Sequence, residues 1–211
     1  SEILTHIGHS EKVLFMRIFI AVLVLIFSLQ TFTKADDISE FEIEGMSVGD
    51  SALDFFSEYE IKKGIQYDYY NDDLYYPSQI DKKFGNYDGV TIHFFSDDKY
   101  YIIQGISGFK FMDIKECLKE RNTIKDAMDK VWPNTSSDKY SRIHHADKTG
   151  NSKYYHILYE LKDGKKVIGN AIIECLDWSS EITNTKRWGD NLNLRISNEE
   201  FEIWIATKAY N

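Results

Sequence analysis

The hydrophobic pattern separates one uniformly apolar run from a longer stretch of strand-like and helix-like periods. Ile18 to Phe27 are ten apolar residues in succession. A run with no polar face fits neither an amphipathic helix nor a half-buried strand. Further along, Phe41-Glu42-Ile43-Glu44-Gly45-Met46 alternates apolar and charged positions, and this period of two predicts a half-buried strand with Phe41 and Ile43 inward. Ser47-Val48-Gly49-Asp50 reads as a turn, with Asp50 capping a short helix that carries Leu53 and Phe56 on one face. Ser57-Glu58-Tyr59-Glu60 is a capping box that opens a second helical turn at Ile61. Residues 65–88 lack a period and gather Tyr67, Tyr69, Tyr70, Tyr75, Tyr76 and Tyr87. The segment reads as a surface loop pinned by amphipathic rings, with an aromatic recognition surface as the alternative.

Val90 to Phe95 and Tyr100 to Ile106 predict an antiparallel hairpin turning at Asp97-Asp98. Asp113 to Trp132 is the clearest helix, with Ile114, Cys117, Leu118, Ile124, Met128 and Val131 in one apolar stripe. Pro133 ends it, because proline disfavours helix at the residue before it. Tyr154 to Leu161 and Val167 to Leu176 form a second hairpin around Asp163-Gly164, apolar on both faces and therefore central. Leu192, Leu194 and Ile196 alternate with Asn191, Asn193 and Arg195 in a further strand. Ser197-Asn198-Glu199-Glu200 is a second capping box, opening a C-terminal helix with Phe201, Trp204 and Ile205 inward. Strands in adjacent antiparallel pairs predict an α+β fold. It is a mainly antiparallel sheet with one long and one C-terminal helix packed on one face, preceded by an N-terminal signal or anchor helix. Residues 1–15 read as upstream or disordered extension, 16–35 as signal peptide or membrane anchor, and 36–211 as a single α+β domain.

Composition supports a folded domain. Of 211 residues, 43% are hydrophobic and 28% charged, which excludes long disorder. The net charge of -9 argues against nucleic acid as a partner, since phosphate binding draws on concentrated Lys and Arg. Arg17, the apolar run and Thr33-Lys34-Ala35 together read as a secretory signal peptide cleaved between Ala35 and Asp36. The run is shorter than the ~20 residues a span needs. Lys34, beside the cleavage position, keeps an uncleaved anchor as the alternative. Export gives meaning to Cys117 and Cys175. Two cysteines in an oxidising compartment most simply pair, and the loop closed would contribute on the order of 3–4 kcal/mol. The alternative is two buried thiols. No motif around either one marks a catalytic thiol.

Several segments carry candidate chemistry. Val48-Gly49-Asp50-Ser51-Ala52-Leu53-Asp54 resembles the first block of the GDSL (SGNH) hydrolases, which would make Ser51 the nucleophile. That family sets its serine after a buried parallel strand and draws its base from an Asp-x-x-His near the C-terminus. Here the preceding strand carries Glu42 and Glu44, no Asp-x-x-His occurs, and the last histidine is His156. A serine without an oriented base is a poor nucleophile, so Asp50 and Ser51 read more simply as helix caps. His144, His145 and Asp147 are candidate metal ligands, with His156 nearby in sequence. Adjacent histidines on an extended segment point to opposite sides, and a zinc site needs three or four convergent ligands. Asp147-Lys148-Thr149-Gly150-Asn151-Ser152 lacks the alternating acids and closing Glu of a calcium loop and reads as a tight turn. Asn134-Thr135-Ser136 matches the glycosylation acceptor pattern. Trp178 and Trp188 bracket a polar loop and read as a partner or glycan surface, or as buried lids.

The stretch from Ile43 to Phe55 resembles the start of a group of small exported proteins of marine bacteria, a group with no assigned activity. The Cys117 helix, the loop Ala146-Asp147-Lys148-Thr149-Gly150-Asn151-Ser152 and Glu174-Cys175-Leu176-Asp177-Trp178-Ser179 fit the same group. The resemblance implies export and pairing of Cys117 with Cys175, and adds no chemistry. The sequence reads as an exported, periplasmic or secreted, non-enzymatic binding or accessory domain. Its partner is a protein or small molecule, no cofactor is implied, and it meets a membrane only through the N-terminal segment. The alternatives are a small hydrolase using Ser51 or a metal site at His144, His145 and Asp147, and an envelope protein anchored in the inner membrane.

Overall fold

The computed structural model describes residue 38, residues 41–131 and residues 137–211. The predicted leader at 16–35, the extension before it and the Asn134-Thr135-Ser136 motif lie outside the described residues. Among the described residues, β1 (Glu42–Ile43) and β2 (Met46–Ser47) pair as a small hairpin. Seven further strands form one sheet: β3 (Tyr75–Ile80), β4 (Gly89–Phe95), β5 (Gly105–Phe111), β6 (Ser137–Ile143), β7 (Lys153–Asp163), β8 (Lys166–Asp177) and β9 (Asn191–Asn198). Their order is β3-β4-β5-β9-β8-β7-β6, and every neighbouring pair is antiparallel. Two meanders, β3-β4-β5 and β6-β7-β8, are thus closed by β9 sliding in between them. The helices are α1 (Glu58–Gly64), α2 (Ile114–Val131), α3 (Ser180–Lys186) and α4 (Glu199–Thr207). No helix of the described residues is long and apolar enough to cross a membrane.

The predicted α+β class with a mainly antiparallel sheet is what the chain forms. The hairpin of β7 and β8, the α2 helix and the Ser57–Glu60 capping box also stand as predicted. Side chains alternate between the two faces of a strand, so each face can be followed residue by residue. One face carries Ile92, Ile106, Ile157, Ile173 and Cys175, all buried, and packs against α2. The Cys117 and Cys175 sulfurs are bonded, with Cα atoms 5.9 Å apart, tying α2 to β8. The same apolar layer continues under α1 and the β1–β2 hairpin through Ile61, Ile43 and Met46.

The other face carries Arg195, Asn193 and Glu174, and α4 lies on it. Helix α4 starts at the residue after β9 ends, and its Glu202 reaches back to Arg195 and Ser197. The two helices predicted on one face therefore sandwich the sheet. Gly105 makes room for α4: a Cβ there would stand 3.1 Å from the Phe201 ring.

Other expectations shift in register. The alternating run from Phe41 is a hairpin, because Glu44 and Gly45 both take positive φ and turn the chain between Ile43 and Met46. Ser51, not Asp50, caps the following 3₁₀ turn (Ala52–Asp54), while Asp50 Oδ2 accepts from the Ser47 amide at 2.8 Å. Phe56 is buried there but Leu53 is 40% exposed, so they do not share a face. Within 65–88, Tyr75–Ile80 is an edge strand, and Pro77 is tolerated because an edge residue need not donate to a ladder. The return strand after β4 begins at Gly105 rather than Tyr100, because Asp98 accepts from the amides of Tyr100 and Ile102 and widens the turn. Asn198, not Ser197, caps α4, accepting from the Phe201 amide at 2.8 Å.

Candidate ligand-binding site

The register places polar side chains in rows across the middle of the sheet. One row runs Phe109, Asn193, Glu174, His156, Tyr140 through β5, β9, β8, β7 and β6. Directly opposed antiparallel residues stand about 5 Å apart, close enough for side chains to bond across strands. His156 Nε2 meets Glu174 Oε2, and His156 Nδ1 lies 3.0 Å from the Tyr140 hydroxyl. The adjacent row runs Thr91, Ser107, Arg195, Ile172, Leu158. Arg195 Nε lies 3.2 Å from Glu202 Oε1 of α4, and Ser197 donates to the same carboxylate. A third row brings Phe111, Asn191, Leu176 and Tyr154 into line.

Loops wall this floor with rings. The stretch before β3 is held to the C-terminus: the Asn71 amide donates to the Ala209 carbonyl at 2.7 Å, and Trp204 Nε1 donates to Asp72 at 2.9 Å. This presents Tyr69 and Tyr70 over the floor. Trp178 follows β8, where its amide donates to Asp190 at 2.8 Å, and Trp188 follows α3, where Arg187 takes φ 60°. The two indoles meet at 4.8 Å, and Tyr69 packs on Trp188 at 5.4 Å. Together they bound a cavity of about 510 Å³ over β7, β8 and β9 that extends along the same face to β3 and β6, a size suited to a small molecule.

The floor holds fixed charge out of water. Glu174 and His156 are each 7% exposed. Burial lifts the Glu174 carboxyl above the ordinary carboxylate range, with Arg195 opposing the lift. Burial pushes His156 down to about 3, with Arg195 adding to the effect, so its ring is neutral at pH 7. Burial also disfavours the Arg195 charge, yet Glu202 and Glu174 outweigh it and hold the guanidinium protonated. His93, beside Tyr70 at 3.2 Å, is pushed by burial to about 3, and His144 to about 4. His144 Nδ1 accepts from the Ala146 amide at 3.1 Å, which leaves Nε2 facing the Tyr69 hydroxyl at 3.5 Å. Two amide oxygens have no hydrogen-bond partner among the described residues: Asn191 Oδ1 and Asn193 Oδ1.

The residues singled out by motif fare differently. Ser51 Oγ donates to the Tyr100 carbonyl at 2.7 Å and accepts from Leu53, on antiparallel surroundings and with no histidine among the described residues bonded to it. This arrangement is a cap, and it offers the hydroxyl no base. His144 is buried and His145 exposed, yet both line the cavity, where His145 stacks on Tyr210 at 5.6 Å. Both Asp147 oxygens are taken, by Thr149 at 2.9 and 2.7 Å and by Ser152 at 2.9 and 2.6 Å. Against the cost of burial, those bonds hold its carboxyl well below the usual range. Among the described residues no three His, Cys, Asp or Glu side chains converge as a metal site. Asp147 and Gly150, at φ 75°, build the tight turn expected of that segment. Trp178 and Trp188 both line the cavity.

The sequence reading did not single out Tyr140, Glu174 or Glu202, and named Asn193 and Arg195 only as one side of a strand. The usable signal was the composition of β9: a strand whose apolar residues face the core, carrying Asn, Asn and Arg on the reverse. Comparison with protein families, with curated proteins and with solved structures finds no match to this chain.

Proposed function

We propose that this chain is an exported, non-enzymatic binding domain that takes a small ligand in the cavity over β7, β8 and β9. The observation that carries this reading is the buried polar floor. Unpartnered buried acceptors and desolvated charges cost stability, and such groups are kept where a ligand completes them. Asn191 Oδ1 and Asn193 Oδ1 are of this kind. A cavity with aromatic walls and a few convergent polar groups is the ordinary form of a ligand site. The export half of the reading rests on the residue 16–35 pattern, on the resemblance to small exported proteins, and on the Cys117–Cys175 bond, which persists in oxidising compartments. The Ser51 hydroxyl is committed to the Tyr100 carbonyl as part of a cap, which favours binding over hydrolysis at this serine.

A fragment screen by NMR tests the binding half. Chemically diverse fragments are expected to shift the amides of β7, β8, β9 and α4 together. Hits that cluster elsewhere, or no hits at all, would remove the reading.

A further inference from the structure

The class of ligand can be argued from the same floor, and this step rests on the binding reading. Its charges are already matched. Arg195 lies against Glu202, and both Glu202 and Glu174 hold its charge, while Glu174 also meets His156. An anion entering the cavity would meet Glu202 and Glu174, already set around the guanidinium, and be repelled by them. A cation would have to displace Arg195 from the buried Glu174 and the largely buried Glu202, and uncompensating such a charge is costly. A neutral ligand meets neither obstacle.

The floor lacks donors at two amide oxygens, and Arg195 Nε makes no hydrogen bond among the described residues although it lies 3.2 Å from Glu202. Asn191 is 7% exposed, and its Nδ2 donates to the Gly189 carbonyl at 2.9 Å. That bond fixes the amide orientation and leaves Oδ1 without a partner among the described residues. Asn193, two residues along β9 and on the same face, leaves its Oδ1 in the same condition. Two positions along a strand span about 7 Å, so one ligand must present neutral donors at more than one point.

The walls choose among neutral donors. Tyr69 and Trp188 meet at 54°, Trp178 and Trp188 at 57°, and Tyr69 and Tyr70 at 86°. Rings set at such angles do not make the parallel-sided slot that a flat nucleobase needs. They do offer separate apolar faces to the C–H surface of a puckered ring. We infer that the cavity takes a neutral polyhydroxylated ligand, a mono- or disaccharide, whose hydroxyls donate to Asn191 and Asn193 and whose C–H face lies on Trp188.

The test titrates the full, disulfide-bonded chain by calorimetry and tryptophan fluorescence. The neutral probes are glucose, galactose, N-acetylglucosamine, cellobiose and chitobiose. Galacturonate, spermidine and adenosine serve as anionic, cationic and planar counterparts. At least one neutral saccharide is expected to bind, and Asn193→Ala and Trp188→Ala are each expected to weaken it about tenfold while the chain still unfolds cooperatively. Should Asn193→Ala not fold, the half-buried Trp188→Ala decides alone. The inference is overturned if none of the five saccharides binds, or if binding ignores the variants. Binding of a counterpart instead, sensitive to the same variants, overturns the saccharide class and leaves the binding reading intact. The fragment screen fails independently of this titration, so the two failures are distinguishable.

Discussion

A guanidinium shut away from water has to be matched by carboxylates, and at Arg195 the match comes from two elements. Glu202 on α4 lies 3.2 Å away, and Glu174 on β8 adds its charge. Removing one partner of a buried pair leaves the rest uncompensated, while removing both for apolar groups of similar size is often neutral. Arg195→Met is therefore expected to cost about 3–5 kcal/mol in urea unfolding. Adding Glu202→Leu should recover most of that loss. Equal stability of the single and double variants would mean that the carboxylates are hydrated through the cavity mouth. The sequence could show Arg195 only as part of an alternation, Asn191-Leu192-Asn193-Leu194-Arg195-Ile196. That pattern defines a strand with a polar side. Whether the polar side meets water depends on neighbours far away in the chain, here β5, β8 and α4. Tyr140, His156 and Glu174 share nothing in sequence except the register that aligns their strands. His144, Trp178 and Trp188 were visible because histidines and indoles stand out singly, while Ser51 stood out through a local motif that proves to be a cap.

At the scale of elements, the hairpin of β7 and β8 and the helix α2 were legible because their periods are long and uninterrupted. The strands that escaped are those whose residues answer to their neighbours. β5 contains Gly105 and Gly108, which weaken any strand pattern. Yet Gly108 is required, since a Cβ there would stand 2.6 Å from the Tyr87 ring. β3 carries a proline at an edge, and β6 is a polar edge strand, both usual ways of blunting a sheet margin. The α2–β8 connection is the covalent element of the fold, and its pairing was expected from two cysteines and an export signal. The residues it joins are 58 apart in sequence, so the closed loop contributes about 4 kcal/mol by chain entropy. Reducing the bond, or replacing both cysteines with serine, should lower stability by that amount in urea titrations. A change under about 1 kcal/mol would show that α2 docks on the sheet through packing alone.

At the scale of the whole molecule, three of the histidines among the described residues are buried on the cavity side of the sheet, and their summed protonation sets the response to acid. His93 and His156 are held to about 3 and His144 to about 4, in each case chiefly by burial. In the unfolded chain each would titrate near 6.5. As pH falls below that value the unfolded state takes up protons that the folded state refuses, so stability is full above about pH 6.5 and drains away toward pH 4. Each histidine contributes a slope of up to about 1.4 kcal/mol per pH unit. Glu174 acts in the opposite sense. Its raised folded value means that its contribution is present below the ordinary carboxylate value and lost as pH rises through the folded one. Asp147, with its lowered value, adds acid sensitivity only below about pH 4. Between pH 6 and 5 the three histidines outweigh the one carboxyl, and unfolding free energy is expected to fall by about 2–3 kcal/mol. Urea titrations at the two pH values measure this directly. His93→Gln, which keeps a polar partner for Tyr70 but cannot titrate, should remove roughly half of the fall. A flat profile in the parent chain would mean that water reaches these rings, and with it the floor of the cavity.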